Sequence, residues 1–187
     1  MKEIKNALLI FVVFSFLLGI VYPVVLTGIS QLVFPHQANG NLIIENGKVI
    51  GSEVIGQNFT SPNYFHGRPS ATGYDSGTSG GSNLGPTNHK LIDQINNRIQ
   101  QIKYEESLPS NSTVPADLVL SSGSGLEGYI YVESARLQVP RIAKAIGVSE
   151  TEVENIIESN VESSFLRTGS PMVNVLKINI ALDDLRR

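Results

Sequence analysis

Residues 7–26 read ALLIFVVFSFLLGIVYPVVL, and this stretch decides how the chain is organised. It lies inside a longer segment, residues 6–44, that contains no Asp, Glu, Lys or Arg. About 20 apolar residues in a helix that rises ~1.5 Å per residue extend ~30 Å, which is the hydrocarbon thickness of a bilayer. We therefore predict a transmembrane helix at residues 7–26, within an N-terminal anchor at residues 1–34.

The charges on either side of this apolar stretch predict its orientation. Lys2 and Lys5 precede it, and the next basic residue is Lys48. Basic residues favour the cytoplasmic side of a span, so we expect a single-pass protein of the cell membrane with a cytoplasmic N-terminus and an extracytoplasmic domain at residues 35–187. A cleaved signal peptide and a buried core helix are the alternatives. The length of the charge-free run and the lack of a small-x-small cleavage site favour the span.

The rest of the chain is more polar, and its length is that of one compact domain. The whole chain has 187 residues, a formal net charge of −3 and no cysteine. A disulfide framework, a thiolate nucleophile and a zinc–thiolate site are therefore excluded. Two short apolar runs around Asn46 and Gly47 predict a β-hairpin at residues 41–50. A segment rich in Gly, Ser, Pro and Asn follows at residues 51–87, without apolar periodicity.

Apolar periodicity predicts three helices after that segment. Residues 86–106 and residues 133–146 have helical spacing, and Pro140 should kink or split the second of these helices. Ser149 and Glu152 form a capping-box pattern, which predicts the start of the third helix.

Few strands are predicted in the same region. Residues 118–120 and the alternating apolar residues of 173–182 have strand-like patterns. The predicted fold class is therefore α+β, with one N-terminal transmembrane helix followed by a mixed α+β extracytoplasmic domain.

Two motifs resemble ligand-binding sequences but lack the context that those functions require. Residues 123–128 match G-x-G-x-x-G, and dinucleotide binding requires a helix directly after such glycines. The next residues, YIYV, favour extended structure, so we interpret the motif as a glycine turn. Residues 141–157 resemble a helix-turn-helix, but the second helix is acidic and has no Lys or Arg. We therefore predict no nucleic-acid partner.

The sequence has no recognisable catalytic constellation. It contains no G-x-S-x-G nucleophile elbow, no H-E-x-x-H and no P-loop. His36, His66 and His89 are scattered, and nothing marks Asp117 and Glu127 as an acid–base pair. We predict a protein with no catalytic residues, no metal site and no cofactor of its own.

Residues 64–85, YFHGRPSATGYDSGTSGGSNLG, are the strongest candidate for a functional site. Tyr64, Phe65 and Tyr74 are poor residues for a solvated linker, and their packing favours an ordered loop. Gly and Pro fix particular backbone conformations, and Arg68 can fasten such a loop to carbonyl or carboxylate oxygens. We predict that the 64–85 loop contacts a partner. The predicted contact residues are Tyr64, Phe65, His66, Arg68, Ser70, Ser82 and Asn83.

Short segments along the whole chain resemble one known family. After a helix that contains Tyr-Pro they occur in this order: FPHQANGNL (34–42), GSEVIGQNF (51–59), YFHGRPSAT (64–72), SGGSNLG (79–85), VPADLV (114–119), LQVPRIAKA (137–145) and VNVLKINIALD (173–183). Together they closely resemble the C subunits of the Kdp potassium-transporting ATPases, the KdpC family. The resemblance covers essentially the whole chain, and YFHGRPSAT with SGGSN is highly specific.

This resemblance implies a role in a membrane complex that imports potassium at the expense of ATP. The implied partners are a channel-like subunit that carries potassium and a P-type ATPase subunit that is phosphorylated. The implied role of this chain is that of a single-span accessory subunit, which stabilises the assembly. It would also act as a catalytic chaperone that raises the ATP affinity of the pump subunit, while the complex handles ATP and potassium.

The resemblance also draws attention to the Gln-x-Pro-Arg segment. A glutamine there is linked to nucleotide binding in the family, and it corresponds to Gln138 of this chain. ATP is cytoplasmic, whereas the domain is predicted to be extracytoplasmic. We therefore expect an effect on ATP affinity to be transmitted through the membrane subunits. The alternative is a nucleotide-binding domain that contacts ATP directly, through the Gln138 segment or the glycines of residues 123–128.

Overall fold

A long apolar helix begins the chain. The computed structural model describes residues 1–45, 47–162 and 169–186. Helix α1 (Lys2–Phe16) continues through a π-helical turn (Leu17–Val21) into helix α2 (Tyr22–Val33). By length and composition this 32-residue helix can cross a membrane, and its most apolar window has no buried residue. The predicted N-terminal apolar helix is thus confirmed as a candidate membrane span.

The π-helical turn lies directly before Pro23 because proline cannot continue the regular hydrogen-bond ladder. Pro23 has no N–H, and in a regular α-helix its ring would collide with the carbonyl group of Gly19. In the structure the Tyr22 N–H bonds to the carbonyl of Leu17, five residues earlier. The helix therefore passes the proline with one widened turn instead of ending there.

A connector and a β-hairpin follow the long helix. Helix α3 (Pro35–Ala38) is a single turn, and strands β1 (Leu42–Glu45) and β2 (Lys48–Ser52) form a two-stranded sheet. This confirms the predicted hairpin. Gly47 in its turn has φ of +76°, a backbone conformation that favours glycine, and Asn46 lies outside the described residues.

The chain divides into two compact units, Met1–Val49 and Ile50–Arg187. The boundary predicted from the sequence, between an anchor at residues 1–34 and a domain at residues 35–187, stays a prediction.

A three-stranded antiparallel sheet lies in the second unit. Strands β3 (Tyr129–Tyr131), β4 (Val161–Glu162) and β5 (Met172–Asn174) have the order β3-β5-β4. Val173 of the central strand pairs with a residue of each neighbour. The fully buried apolar side chains of the core are Phe65, Ile130, Ala135, Ile142, Val153, Ile157, Val173, Ile178 and Leu182. Phe65 brings the 64–85 loop into this core.

The described residues of the second unit contain six helices, so the prediction of three was too low. They are α4 (His89–Glu105), α5 (Ala116–Val119), α6 (Val132–Leu137), α7 (Val139–Ile146), α8 (Glu150–Ser159) and α9 (Val175–Leu185). Pro140 stands in the first turn of α7, which confirms the predicted split of the helix at this proline. Ser149 and Glu152 form the predicted capping box at the start of α8.

The strand predicted at residues 118–120 is wrong. Most of this stretch belongs to the one-turn helix α5, which follows Pro115, and the Leu120 N–H bonds to the Ala116 carbonyl at 2.8 Å. The Asp117 carboxylate in this turn is buried and accepts hydrogen bonds from the Tyr131 N–H and the Ser134 hydroxyl. These tertiary bonds fix a turn that the apolar run alone does not indicate.

The strand predicted at residues 173–182 is correct only at its start. Strand β5 ends at Asn174, whose side chain accepts a hydrogen bond from the Lys177 N–H and caps helix α9. The buried residues Val175, Ile178 and Leu182 have helical spacing. Several of these apolar positions fit both strand alternation and helical periodicity. The N-cap formed by Asn174 favours the helix.

Candidate functional site: the 64–85 loop

The 64–85 loop has no helix or strand of its own, yet buried hydrogen bonds fix it against the helices of the second unit. Residues 53–88 are free of regular secondary structure. Asn179, on helix α9, is 2% exposed. Its side-chain oxygen accepts from the Phe65 N–H at 2.8 Å, and its side-chain nitrogen donates to the Phe65 carbonyl at 3.0 Å. One side-chain amide thus satisfies both backbone groups of a core residue.

Gln138 makes the same pair of bonds to the next residue of the loop. Its Oε1 accepts from the His66 N–H at 2.7 Å, and its Nε2 donates to the His66 carbonyl at 3.1 Å. Nε2 also donates to the Ser134 carbonyl at 3.2 Å, and Oε1 also accepts from Arg141 at 2.9 Å. A glutamine amide offers two donors and two acceptor sites, so this amide is fully engaged within the protein.

Arg141 is the third group that holds the start of the loop. Its Nη1 donates to the carbonyls of Pro62 and Tyr64, at 2.6 and 3.1 Å. Its Nε pairs with Glu106 Oε1 at 2.8 Å, and the side chains of Arg141 and Glu106 are only 9% and 3% exposed. Burial raises the pKa of the Glu106 carboxyl, although the bond from Arg141 acts against this shift.

His66 lies beside this ion pair and lines a cleft of about 180 Å³ between the loop and helix α4. Its Nε2 is 3.0 Å from the Ser61 carbonyl, and its Nδ1 is 3.9 Å from a carboxylate oxygen of Glu105. Burial and the positive charge of Arg141 lower the pKa of His66, and the Ser61 carbonyl and Glu105 partly oppose them. The neutral imidazole is thus the favoured form in the folded protein.

Tyr64 connects the loop to the end of helix α9. Its hydroxyl donates to the Asp183 carboxylate, at 2.9 and 3.1 Å from the two oxygens. The ring also packs edge-on against Phe59, with 5.6 Å between centroids. The hydrogen bond to Asp183 is the main reason why the pKa of Tyr64 is raised.

The second half of the loop packs on the glycine motif of residues 123–128. Ser70 Oγ donates to the Gly125 carbonyl at 2.6 Å, and the Gly80 N–H bonds to the Ser124 carbonyl at 2.8 Å. Gly125 has φ of +69°, and a Cβ built on it would lie 2.7 Å from the Gly80 carbonyl oxygen. Strand β3, not a helix, follows these glycines, which confirms the interpretation as a glycine turn.

The predicted contact residues differ in exposure. The Phe65 side chain is in the core, whereas Tyr64, His66, Arg68 and Ser70 are half-buried and hydrogen-bonded to the body. Arg68 reaches the Leu120 carbonyl through Nη2 at 3.4 Å. Ser82 and Asn83 are exposed, together with the loop tip at residues 75–79. The structure thus separates a half that anchors the loop from a half that faces outward.

The anchoring residues Asn179, Asp183 and Arg141 were missed by sequence reasoning. Asn179 is a polar residue within the apolar face of helix α9, and a buried polar residue of this kind needs a partner. The signal becomes visible only when residues 175–185 are recognised as a helix.

Comparison with known proteins finds one family that matches nearly the whole chain. A family model described as "KdpC: K+-transporting ATPase, c chain" matches residues 4–184. A "Potassium-transporting ATPase KdpC subunit" from Mycobacterium tuberculosis H37Rv is 46% identical over 187 residues, covering 98% of this chain and 99% of the relative. The protein of that name from Caldanaerobacter subterraneus is 46% identical over 182 residues, covering 97% and 94%. That from Bradyrhizobium diazoefficiens is 43% identical over 198 residues, covering 98% and 97%.

Proposed function

The chain belongs to the KdpC family of K+-transporting ATPase subunits, and on this premise we propose that it is the membrane-anchored accessory subunit of an ATP-driven potassium importer. In this role it stabilises the assembly and does not catalyse a reaction. The partners are a channel-like subunit that carries potassium and a P-type ATPase subunit. ATP and potassium are handled by the complex, and this chain needs no cofactor of its own.

The observation that carries the proposal is the way the 64–85 loop is held. Phe65 and His66 are fixed through both of their backbone groups by buried amides, which leaves residues 75–79, Ser82 and Asn83 exposed on a fixed base. A loop that is ordered before binding loses little conformational entropy when a partner covers it. This arrangement suits a docking surface better than a flexible linker.

The docking role is tested by placing a bulky charge on the exposed half of the loop. Ser82→Arg should sharply reduce the amount of complex that co-purifies with a tagged partner subunit, and potassium uptake should fall with it. Thr113→Arg is the control, because Thr113 is also exposed but lies outside the loop. Normal assembly and uptake with Ser82→Arg would show that this half of the loop is not the contact.

Lys2 and Lys5, which precede the apolar helix, support the orientation that we propose for the chain. We expect the N-terminus in the cytoplasm and the second unit outside it. A reporter that is active only outside the cytoplasm, fused after Arg187, should therefore be active. Activity of a reporter that works only in the cytoplasm would contradict this topology.

The proposed effect of the subunit on ATP affinity is indirect. Gln138 is 2% exposed, and its amide makes four hydrogen bonds within the chain, so it has no free group for a nucleotide. We propose that this chain raises the ATP affinity of the pump subunit by favouring one conformation of the membrane subunits. The effect is then a coupling free energy between separate sites. The alternative function is direct nucleotide binding through the Gln138 segment.

Calorimetric titration separates the indirect effect from direct binding. ATP added to the purified full chain in detergent should give no heat of binding at micromolar concentrations. In parallel, ATP is titrated into the complete complex and into a complex that lacks this subunit. The two ATP affinities should differ. Micromolar binding to the chain alone would favour the alternative function.

A further inference from the structure

An exposed apolar surface remains on the β-hairpin, outside the 64–85 loop. Leu42, Ile44 and Val49 are 40, 63 and 51% exposed. Leu42 and Ile44 lie two residues apart on β1, so their side chains are on the same face of the strand. The hairpin is a separate two-stranded sheet, and such a sheet is marginally stable in water unless its apolar face is covered.

Hydrogen bonds place the start of the hairpin close to the end of the long helix. The side-chain amides of Gln31, on α2, and Asn39 bond to each other at 3.1 and 3.4 Å. The Asn41 N–H bonds to the His36 carbonyl at 3.0 Å, which closes the connector. The chain up to Val49 forms one compact unit with the apolar helix. The hairpin therefore begins beside the last turns of α2.

The position of Gln31 along the helix brings this region to the membrane surface. If residues 7–26 fill the hydrocarbon layer, Gln31 lies five residues beyond it, which is about 7.5 Å along a helix. The headgroup layer on each side of a bilayer is about 5–8 Å thick. The polar pair of Gln31 and Asn39 thus stands at the outer edge of the headgroups. Strand β1 begins at Leu42, three residues after Asn39, so the hairpin starts close to this level.

The side chains of the hairpin suit a lipid surface. The exposed apolar residues are branched aliphatics, which gain free energy on leaving water without needing a specific partner geometry. Lys48, also exposed and next to Val49, can keep its ammonium group among lipid phosphates while its methylene groups lie in the apolar layer. Phe34, at the end of α2, is exposed as well and is suited to the same interface.

We propose that residues 42–49 of the hairpin form a second membrane contact, which lies in the headgroup–acyl boundary of the bilayer that the long helix crosses. Leu42, Ile44 and Val49 enter the lipid, and Lys48 faces the phosphates. This contact limits how far the hairpin can move away from the membrane. It goes beyond the docking role of the 64–85 loop and requires only that the helix be inserted.

The chain contains no tryptophan, so one introduced Trp reports on one position. The full chain carrying Ile44→Trp is reconstituted in phosphatidylcholine vesicles with or without bromine on the acyl chains. Phe16→Trp, inside the long helix, is the positive control. Tyr104→Trp is the negative control, because Tyr104 is 87% exposed on helix α4 of the other unit. Each emission spectrum is compared between brominated and plain lipid.

We expect the Trp fluorescence of Ile44→Trp to be quenched in brominated vesicles about as strongly as that of Phe16→Trp. Its emission maximum should also be blue-shifted. Ile44→Trp combined with Val49→Asp should lose both effects. The proposal is overturned if Phe16→Trp is quenched while Ile44→Trp behaves like Tyr104→Trp. It is also overturned if Ile44→Trp becomes shielded only when the other subunits are added, because a protein partner would then cover this face.

Discussion

The side-chain amide of Gln138 replaces a neighbouring β-strand for His66. It accepts from the His66 N–H and donates to the His66 carbonyl, at 2.7 and 3.1 Å. Asn179 forms the same two bonds with Phe65. The backbone groups of two successive loop residues are thus hydrogen-bonded to two side chains. One comes from the residue before helix α7 and the other from helix α9. This is how a Gly-rich loop remains ordered on the body.

Gln138→Ala should release the start of the 64–85 loop. The His66 N–H and carbonyl lose their partners, so amide hydrogen exchange at His66 should become much faster. Gln101→Ala is the control, because Gln101 lines the same cleft but is exposed. Unchanged exchange at His66 would show that Gln138 does not hold the loop.

Asn179→Ala should destabilise the protein by about 2–4 kcal/mol, because both backbone groups of the buried Phe65 lose their partner. Denaturant unfolding of the full chain in detergent, followed by circular dichroism, measures this change. Asn155→Ala on the surface of helix α8 should change the free energy of unfolding by less than about 0.5 kcal/mol. Equal losses from the two substitutions would contradict the importance of the Asn179 bonds.

Arg141→Met should cost about 3–5 kcal/mol of stability, since it removes the cation that is paired with the buried Glu106 carboxylate. Adding Glu106→Gln should recover part of this loss, because the uncompensated charge is then gone. The measurement is a double-mutant cycle on the free energy of unfolding. Strictly additive effects of the two substitutions would mean that the pair is not coupled.

The lowered pKa of His66 predicts a stability that falls in mild acid. Between the ordinary pKa of about 6.5 and the lower pKa of the folded state, the unfolded chain binds a proton that the folded protein does not. The free energy of unfolding should therefore decrease as the pH falls from about 6.5 and level off below the folded pKa.

His66→Gln should reduce this dependence on pH. Glu106, whose pKa is raised, acts in the opposite direction, since its protonation favours the folded state. The informative quantity is therefore the difference between wild type and variant at each pH, measured by urea unfolding. Parallel curves for the two proteins would show that His66 does not contribute.

Gly125→Ala should destabilise the contact between the 64–85 loop and the glycine motif of residues 123–128 by about 1–3 kcal/mol, because the position has a positive φ and its Cβ would approach the Gly80 carbonyl. Gly123→Ala is a matched control two residues away, where a Cβ would meet nothing within 4 Å and φ is not in the left-handed region. Thermal unfolding of the two variants tests this prediction. A loss from Gly123→Ala as large as that from Gly125→Ala would contradict it.

The sequence predicts those features of this fold that depend on neighbouring residues. The charge-free run of residues 6–44, the proline that splits α6 from α7 and the capping box of Ser149 are each visible in neighbouring residues. Periodicity fails where two periods fit the same residues, as at 173–182, and where tertiary bonds fix a turn, as at Asp117. At 173–182 the deciding bond is the cap from the Asn174 side chain to the Lys177 N–H, which apolar alternation does not register. At Asp117 the partners lie 14 and 17 residues away in the sequence.

In the candidate site, the hydrogen bonds that hold the loop could not be predicted from local sequence. The composition of residues 64–85 indicates an ordered loop, and Gln138 enters through the family resemblance. The partners of the loop are far away in sequence, since Phe65 and Asn179 are 114 residues apart and Tyr64 and Asp183 are 119 apart. No local pattern connects such positions. Only a packed core that brings helix α9 against the loop creates these bonds.

The long separation between Phe65 and Asn179 also sets the order in which the protein can mature. A ribosome completes residues 64–85 well before it reaches helix α9, so the loop must wait until Asn179 has been synthesised. Loops closed over so many residues form slowly, because the entropy of closure is lost before the contact is gained. A chain truncated before Asn179 would lack its bonds to Phe65. The docking role that we propose for this loop would thus depend on a chain that has been synthesised through helix α9.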